Sequence, residues 1–187
     1  MPKSIVISAP SGAGKTSIVN FLINEFSDLE FSVSACNRKK RGHEIHGKDY
    51  CFLDTEDFKN KINSGLFLEW EEVYPNQFYG TLFSSVEEIW LRDKCVIFDV
   101  DVKGAINIKD KFQNNCLAIF IAPPNIETLE QRLICRDTET THNIKTRVAK
   151  AKIELESQNK FDCIVINDNF SLACEEVKDL VSNFLEK

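Results

Sequence analysis

Short apolar runs along this chain alternate with stretches in which the apolar residues recur every three or four positions. Several runs are nearly continuous and rich in Val, Ile and Phe, which is typical of parallel strands covered on both faces. The runs predict strands at residues 4–8, 31–35, 95–100, 116–122 and 162–166. Because strands alternate with helix-like stretches, the pattern predicts an α/β fold built on a doubly wound, parallel sheet.

The stretches between the runs have the spacing of amphipathic helices. They predict helices at residues 16–26, 102–112, 126–136 and 173–184. Ser171 is the predicted N-cap of the last helix, and the spacing of Ser84 and Glu87 predicts a capping box at the start of another.

The segment 34–83 interrupts this alternation, since it is basic at its start and then rich in aromatic residues. We predict that it forms an inserted lobe of short strands with one helix near residues 56–63, which Gly65 would end as a C-cap. The expected organisation is a single domain over residues 1–187. Its predicted parts are a core (residues 1–33, 84–124 and 160–187), the inserted lobe (residues 34–83) and a lid (about residues 125–159).

A glycine-bearing turn, Ser-Gly-Ala-Gly-Lys-Thr, joins the first predicted strand to the first helix. Gly12 and Gly14 allow backbone N–H groups to converge on an anion, and the helix N-terminus adds partial positive charge. Lys15 would reach the phosphates of a nucleotide, and the Thr16 hydroxyl would ligate Mg²⁺. Ala9 replaces the first glycine of the usual pattern, which a negative φ would allow. The alternative is an ordinary turn with a solvated lysine.

Composition narrows the class of protein. The chain has 187 residues, of which 43% are hydrophobic and 28% charged, as in ordinary globular domains. Its net charge of −6 argues against a general nucleic-acid binder, and no apolar run approaches the ~18 residues that span a membrane. Seven cysteines, mostly within apolar runs, favour buried free thiols in a reducing compartment. We therefore expect a cytoplasmic protein without nucleic-acid or membrane partners.

Three carboxylates have positions that suit ligand binding. Asp99 and Asp101 follow a predicted strand, where the ligand crevice of an α/β sheet lies, and either could hold Mg²⁺ or cap the next helix. Glu69 is flanked by large apolar residues, so its ionised carboxylate needs a partner. Guanine offers two adjacent donors, N1–H and the 2-amino group, whereas adenine offers no such pair. The alternative for Glu69 is an edge-strand side chain that faces water.

Two sets of arginines complete the candidate chemistry. Arg38 and Arg41 begin the inserted lobe and suit bidentate capture of a phosphate, although a solvated run of charge would look the same. Arg132 and Arg136 lie one helical turn apart, and Arg147 follows a polar loop. This second set predicts a flap that brings positive charge over a polyphosphate, with surface ion pairing as the alternative.

Taken together, these residues resemble those of guanylate kinases, which phosphorylate GMP with ATP. The resemblance covers nearly the whole chain and includes blocks such as Tyr79-Gly80-Thr81, Phe98-Asp99-Val100-Asp101 and Val165-Ile166-Asn167-Asp168. It implies the three-layer fold of the P-loop nucleoside monophosphate kinases, with an inserted lobe for the monophosphate and a helical lid. It also implies ATP and GMP as substrates, dGMP as an alternative acceptor, and Mg²⁺ as the cofactor.

The resemblance further implies a role for each matching residue. ATP would be bound by Ser11, Gly12, Ala13, Gly14, Lys15, Thr16, Ser17 and Asn167. GMP would be bound by Ser34, Arg38, Arg41, Tyr50, Glu69, Tyr79, Thr81, Asp99 and Asp101. The catalytic residues would be Lys15, Arg41, Arg132, Arg136 and Arg147, and Mg²⁺ would be held by Thr16 and Asp99.

Two departures from the family pattern are visible. Cys36-Asn37 stand before Arg38 where two threonines are common, and Asp137 replaces a common glycine or asparagine. Two other classes stay open at this point. One is a peptide-binding relative, which usually has a degraded phosphate loop. The other is a P-loop GTPase, which reads guanine with an Asn-Lys-x-Asp string; residues 159–162, Asn-Lys-Phe-Asp, have this form.

Overall fold

The computed structural model describes residues 2–135 and 141–186, with only the backbone described for 141–143. Two sheets organise this part of the chain. In chain order the elements are β1 (Ser4–Ser8), α1 (Lys15–Glu25), β2 (Leu29–Phe31), β3 (Ala35–Cys36), β4 (Cys51–Phe52), α2 (Thr55–Asn63), β5 (Phe67–Tyr74), β6 (Gln77–Leu82), α3 (Phe83–Trp90), β7 (Cys95–Asp99), α4 (Val102–Phe112), β8 (Cys116–Ala122), α5 (Ile126–Ile134), α6 (Thr141–Leu155), β9 (Cys163–Ile166) and α7 (Phe170–Leu185).

The larger sheet has five parallel strands in the order β2-β7-β1-β8-β9. Alternate residues of a strand point to opposite faces, so Ile5 and Ile7 of β1 pack against α1 and α7, whereas Val6 packs against α3 and α4. Every residue of β1 is buried because helices cover both faces of the sheet. The predicted three-layer α/β fold is therefore confirmed.

The smaller sheet has four strands in the order β4-β3-β6-β5 and a hydrophobic cluster of its own. Phe58 of α2 lies at the centre of that cluster, with its ring 4.4 Å from the ring of Phe67 and 5.7 Å from that of Phe78. Asp54 caps α2 by accepting a hydrogen bond from the Asp57 N–H, and Gly65, with a φ of 64°, follows the end of the helix as predicted. All these residues lie within the segment 34–83, although its division from the core stays a prediction.

Three local expectations were wrong. The predicted strand 31–35 is divided, because β2 ends at Phe31 and the next strand belongs to the smaller sheet. Ser84 does not cap α3, since β6 runs directly into the helix and Leu82 occupies the N-cap position. Asn169 caps α7 in place of Ser171, because its side chain accepts a hydrogen bond from the Leu172 N–H.

Two further expectations concern the cysteines and the absence of a membrane-spanning segment. The seven cysteines are free thiols, and most are buried or partly buried, but Cys135 at the end of α5 is exposed. Within the described parts of the chain, no helix has both the length and the apolar character needed to cross a membrane.

Phe58→Ala is expected to destabilise the smaller sheet by about 3–5 kcal/mol, because it removes the central ring of a small cluster. Hydrogen exchange should then show lost protection in β5 and β6 while β1 and β8 keep theirs. Phe170→Ala, at a half-exposed ring, is the matched control and should change neither sheet. Equal loss of protection in both sheets would contradict the prediction, because it would mean that the smaller sheet does not unfold independently of the larger one.

Candidate active site

The turn after β1 has the backbone of an anion-binding loop. Gly12 and Gly14 have φ values of 95° and 96°, in the left-handed region that glycine adopts without strain. The Ala13 N–H donates to the Pro10 carbonyl, which closes the turn, and α1 begins at Lys15. The unpaired N–H groups at the start of α1 therefore lie beside this loop, as in known phosphate sites.

Asn167, which follows β9, stabilises the phosphate loop through a side-chain hydrogen bond. Its side-chain Nδ2 donates to the Ala13 carbonyl at 2.7 Å, and the side chain is buried. Arg132 of α5 donates in turn to the Asn167 carbonyl at 2.9 Å. A side chain at Gly14 would collide with the Asn167 amide, so this glycine is required by space as well as by its backbone angle.

The carboxyl end of β7 meets the loop at Asp99. The Thr16 hydroxyl donates to Asp99 Oδ2 at 2.9 Å, and the Lys15 ammonium forms an ion pair with the same carboxylate. Burial lowers the pKa of Lys15 to about 8, while the negative charges of Asp101 and Glu154 act in the opposite direction. A hydroxyl, a carboxylate and a cation thus stand together at the helix N-terminus.

Asp101 has the capping role that the sequence left open for the two aspartates. Its side chain accepts a hydrogen bond from the Gly104 N–H at 2.9 Å and caps α4. The two carboxylates therefore have different roles, since Asp99 faces the phosphate loop and Asp101 caps the beginning of α4.

A cavity of about 260 Å³ lies between the phosphate loop and the smaller sheet. The predicted site residues that line it are Ser11, Gly12, Gly14, Lys15, Thr16, Ser34, Tyr50, Glu69, Tyr79, Asp99, Asp101 and Arg147. Lining residues that the sequence did not predict are Ala9, Pro10, Glu71, Val73, Tyr74, Gly80, Val100, Lys150 and Glu154. The structure therefore brings residues from both predicted nucleotide sites to one cavity.

Glu69 is the buried carboxylate on the far wall of this cavity. It lies on the edge strand β5 but is only 7% exposed, so the water-facing alternative is wrong. The Thr81 hydroxyl donates to Glu69 Oε1 at 2.7 Å. Burial raises the pKa of Glu69 to about 7, and the nearby charges of Asp101 and Glu71 add to this, whereas the hydrogen bond from Thr81 lowers it.

Arg38 and Arg41 are not among the residues that line this cavity, although Arg38 contacts Tyr50, which does line it. The Arg38 guanidinium forms two hydrogen bonds of 2.6 Å to Glu44, and it lies 4.8 Å from the ring of Tyr50. The bonds from Arg38 lower the pKa of Glu44 to about 2. Arg41 also contacts Glu44 through its backbone N–H, while its side chain is exposed. Sequence reasoning missed Glu44, which carries no periodic signal.

Helix α6 brings positive charge to the cavity from the opposite side. Arg147 lies 3.4 Å from the Ser11 hydroxyl, and Lys150 lies 3.5 Å from Glu154 and 5.4 Å from the Tyr74 ring. Lys150 and Glu154 follow Arg147 by three and seven positions, so helical spacing could have identified them.

The remaining predicted residues lie around this space. Ala13 is buried inside the phosphate loop, Ser17 is exposed on α1, and Thr81 is buried behind Glu69. Arg136 lies outside the described residues. Arg132 and Asn167 instead border a second, more open cavity of about 400 Å³, together with Gly12, Gly14, Cys135, Asp168 and Phe170.

A parallel sheet with a phosphate loop after its central strand, facing an inserted sheet across one cavity, is the arrangement of P-loop nucleoside monophosphate kinases. This protein is of that class. The sequence profile described as guanylate kinase matches residues 1–184, and the chain therefore belongs to the guanylate kinase family, whose reaction is the ATP-dependent phosphorylation of GMP to GDP.

Individual relatives agree with this assignment. The chain is 44% identical to a guanylate kinase of Bacteroides fragilis, over 98% of this chain and 90% of that protein. It is also 44% identical to a guanylate kinase of Porphyromonas gingivalis over the full length of both. The crystal structure of guanylate kinase from Anaplasma phagocytophilum superposes with a TM-score of 0.76 at 27% identity, covering 99% of this chain and 85% of that one. The GTPase alternative is therefore wrong.

Glu69→Gln is expected to change how stability depends on pH. Because the pKa of Glu69 is raised from 4.5 to about 7, the folded protein favours the protonated form, and the free energy of unfolding falls as pH rises through this window. The loss should reach about 3 kcal/mol by pH 8 relative to Glu69→Gln. Urea unfolding of both proteins between pH 4.5 and 8 measures it, and parallel pH profiles would contradict the buried carboxylate.

Proposed function

We propose that this protein transfers the γ-phosphoryl group of ATP to GMP, giving ADP and GDP, in the cavity between the phosphate loop and the smaller sheet. One observation carries the proposal: the buried carboxylate of Glu69 and the Lys15 end of the phosphate loop line the same 260 Å³ space. The transfer reaction needs two nucleotides whose phosphates meet, and this cavity would hold both.

Guanine recognition rests on Glu69. In its ionised form the carboxylate accepts hydrogen bonds from N1–H and the 2-amino group of guanine. Adenine would leave the buried carboxylate unpaired, and sites of this kind discriminate by up to about 10⁴–10⁵. Ser34 would contact the O6/N7 edge, and Asp101 lines the cavity nearby at the start of α4. Thr81, which the sequence assigned to the same edge, is buried behind Glu69 and would act on guanine through its hydrogen bond to that carboxylate. Since this recognition does not involve the ribose, dGMP fits the same proposed pocket.

The phosphate of GMP would bind beside Arg38, Arg41, Tyr50 and Tyr79. The rings of the two tyrosines lie 6.1 Å apart, and Arg38 stacks against Tyr50. The guanidinium group of arginine can donate two parallel hydrogen bonds to phosphate oxygens. Because Glu44 already occupies the fork of Arg38, the GMP phosphate would compete with this carboxylate or bind beside it.

ATP would place its β- and γ-phosphates on the N–H groups of residues 12–16. Lys15 then neutralises charge that develops on the transferring phosphoryl group, and Arg132, Arg136 and Arg147 would do so from the lid. The protein forms no covalent intermediate in this scheme, because positioning and charge stabilisation dominate phosphoryl transfer. Closure of the lid would exclude water and so suppress hydrolysis of ATP.

Thr16 and Asp99 fit a bound Mg²⁺. A hydroxyl and a carboxylate only 2.9 Å apart are hard oxygen donors, and Mg²⁺ commonly takes one or two such ligands with the remainder from phosphates. Among the residues whose side chains the structure describes, no group of three or more His, Cys, Asp or Glu stands close enough to hold a metal. Mg²⁺ would supply charge neutralisation between the β- and γ-phosphates.

We also propose a cytoplasmic location and small-molecule partners. The free cysteines support a reducing compartment, and the net charge of −6 disfavours binding to nucleic acid.

An ADP-release assay with ATP and Mg²⁺ tests the proposed reaction. GMP should support turnover, with dGMP as a second acceptor, whereas AMP, UMP and CMP should not. Glu69→Gln should reduce the preference for GMP over AMP, because its amide NH₂ faces the donors of guanine. Absence of turnover with every acceptor would favour the peptide-binding class, and an unchanged GMP:AMP ratio in the variant would remove Glu69 from the pocket.

Lys15→Met should keep the fold and lower kcat by at least about a hundredfold, because it removes a positive charge from the transferring group. Circular dichroism checks the fold, and the same ADP assay measures turnover. Lys178→Met is the matched control, since Lys178 is paired with Glu25 on the surface. Turnover of Lys15→Met within tenfold of the control would contradict the role of Lys15.

A further inference from the structure

Gly104, in the first turn of α4, packs against the carboxylate that we assign to guanine. A methyl group at this position would lie 2.6 Å from Glu69 Oε2 and 3.1 Å from Asp101 Oδ1. A real Cβ atom is essentially never found closer than 3.0 Å to another heavy atom. Alanine at residue 104 would therefore force the Glu69 carboxylate to move.

The backbone does not explain why glycine stands here. Gly104 is not among the residues with a positive φ, and glycine is a weaker helix former than alanine in the interior of a helix. Its N–H bond to Asp101 would be available to any residue except proline. The space that Glu69 occupies is thus the feature that excludes a side chain.

The Glu69 side chain cannot easily move without disturbing the carboxylate that we propose to bind guanine. It is buried, and its other oxygen, Oε1, is held by the Thr81 hydroxyl at 2.7 Å. Moving Oε2 away from Gly104 would break or bend that bond and turn the carboxylate. The backbone of α4 need not shift, because the atoms that would collide belong to side chains.

Gly80 of β6 provides a contrast. A methyl group there would meet the backbone carbonyl of Glu69 at 2.7 Å and the Trp70 Cβ at 2.8 Å. Such a change would disturb the pairing of β5 and β6, and its effect would be structural. A substitution at Gly104, in contrast, can move the Glu69 carboxylate while the fold is kept, so an experiment can distinguish the two effects.

We propose that Gly104 is a positioning residue for guanine selectivity, acting because its missing side chain sets where the Glu69 carboxylate stands. The inference rests on the proposed function, since it concerns how tightly the enzyme binds GMP. Gly104 itself would not contact the substrate.

Gly104→Ala tests this role. We expect KM for GMP to rise by about tenfold to a hundredfold, since small displacements of a positioning group can cost that much. The KM for ATP should stay within about twofold, because the phosphate loop is untouched, and circular dichroism should show that the fold is kept. Asn107→Ala is the matched control, because it changes helix propensity on the exposed side of α4 and should alter neither KM.

A double-mutant cycle with Glu69→Ala distinguishes the mechanism. If Gly104 acts through Glu69, adding Gly104→Ala to Glu69→Ala should cause no further rise in KM for GMP. If Gly104→Ala alone does not fold, the double variant should recover folding, because the colliding carboxylate is gone. Calorimetric titration with GMP gives a second readout that is independent of turnover.

The outcomes separate the two proposals. Wild-type protein without GMP-dependent ADP release or GMP binding would overturn the proposed function, and this inference with it. Wild-type activity with an unchanged KM for GMP in Gly104→Ala would overturn only the inference. An equal rise in KM in the presence and absence of Glu69 would also overturn it, because the effect would then arise elsewhere in α4.

Discussion

The parallel register between β1 and β7 determines where the chemistry of this protein takes place. Ile7 stands opposite Asp99 in that register, so the carboxylate emerges beside the loop that β1 feeds. A slip of one residue would turn Asp99 to the other face of the sheet and away from Thr16. The buried Ser8 hydroxyl, which donates to the Val100 carbonyl at 3.0 Å, ties the two strand ends together.

Groups that we propose for substrate binding already have partners within the protein. Lys15 is paired with Asp99, Glu69 accepts a hydrogen bond from Thr81, and the fork of Arg38 is occupied by a carboxylate. Internal pairing offsets the cost of removing polar groups from water. Substrate binding would therefore exchange one set of partners for another, and selectivity would arise from the difference between the two sets.

The hydrophobic periodicity predicted several elements correctly, whereas the predicted helix caps at Ser84 and Ser171 were wrong. The bounds of β1, β8 and α4 agree with the hydrophobic pattern, because strands buried on both faces and amphipathic helices leave clear periodic signals. The phosphate loop was recognised since its glycines and lysine must be adjacent in sequence. The strand at 31–35 was misplaced because a continuous apolar run does not show that its two ends belong to different sheets.

The sequence by itself determined the layered fold, the phosphate loop and the residue types gathered for two nucleotides, because these follow from periodicity and from neighbours along the chain. Only the tertiary structure decided which of them share one cavity, that Asp101 caps a helix while Asp99 meets Lys15, and that a glycine on α4 makes room for Glu69. Such contacts join residues up to 154 positions apart, as between Asn167 and Ala13. Packing, and not local spacing, sets them.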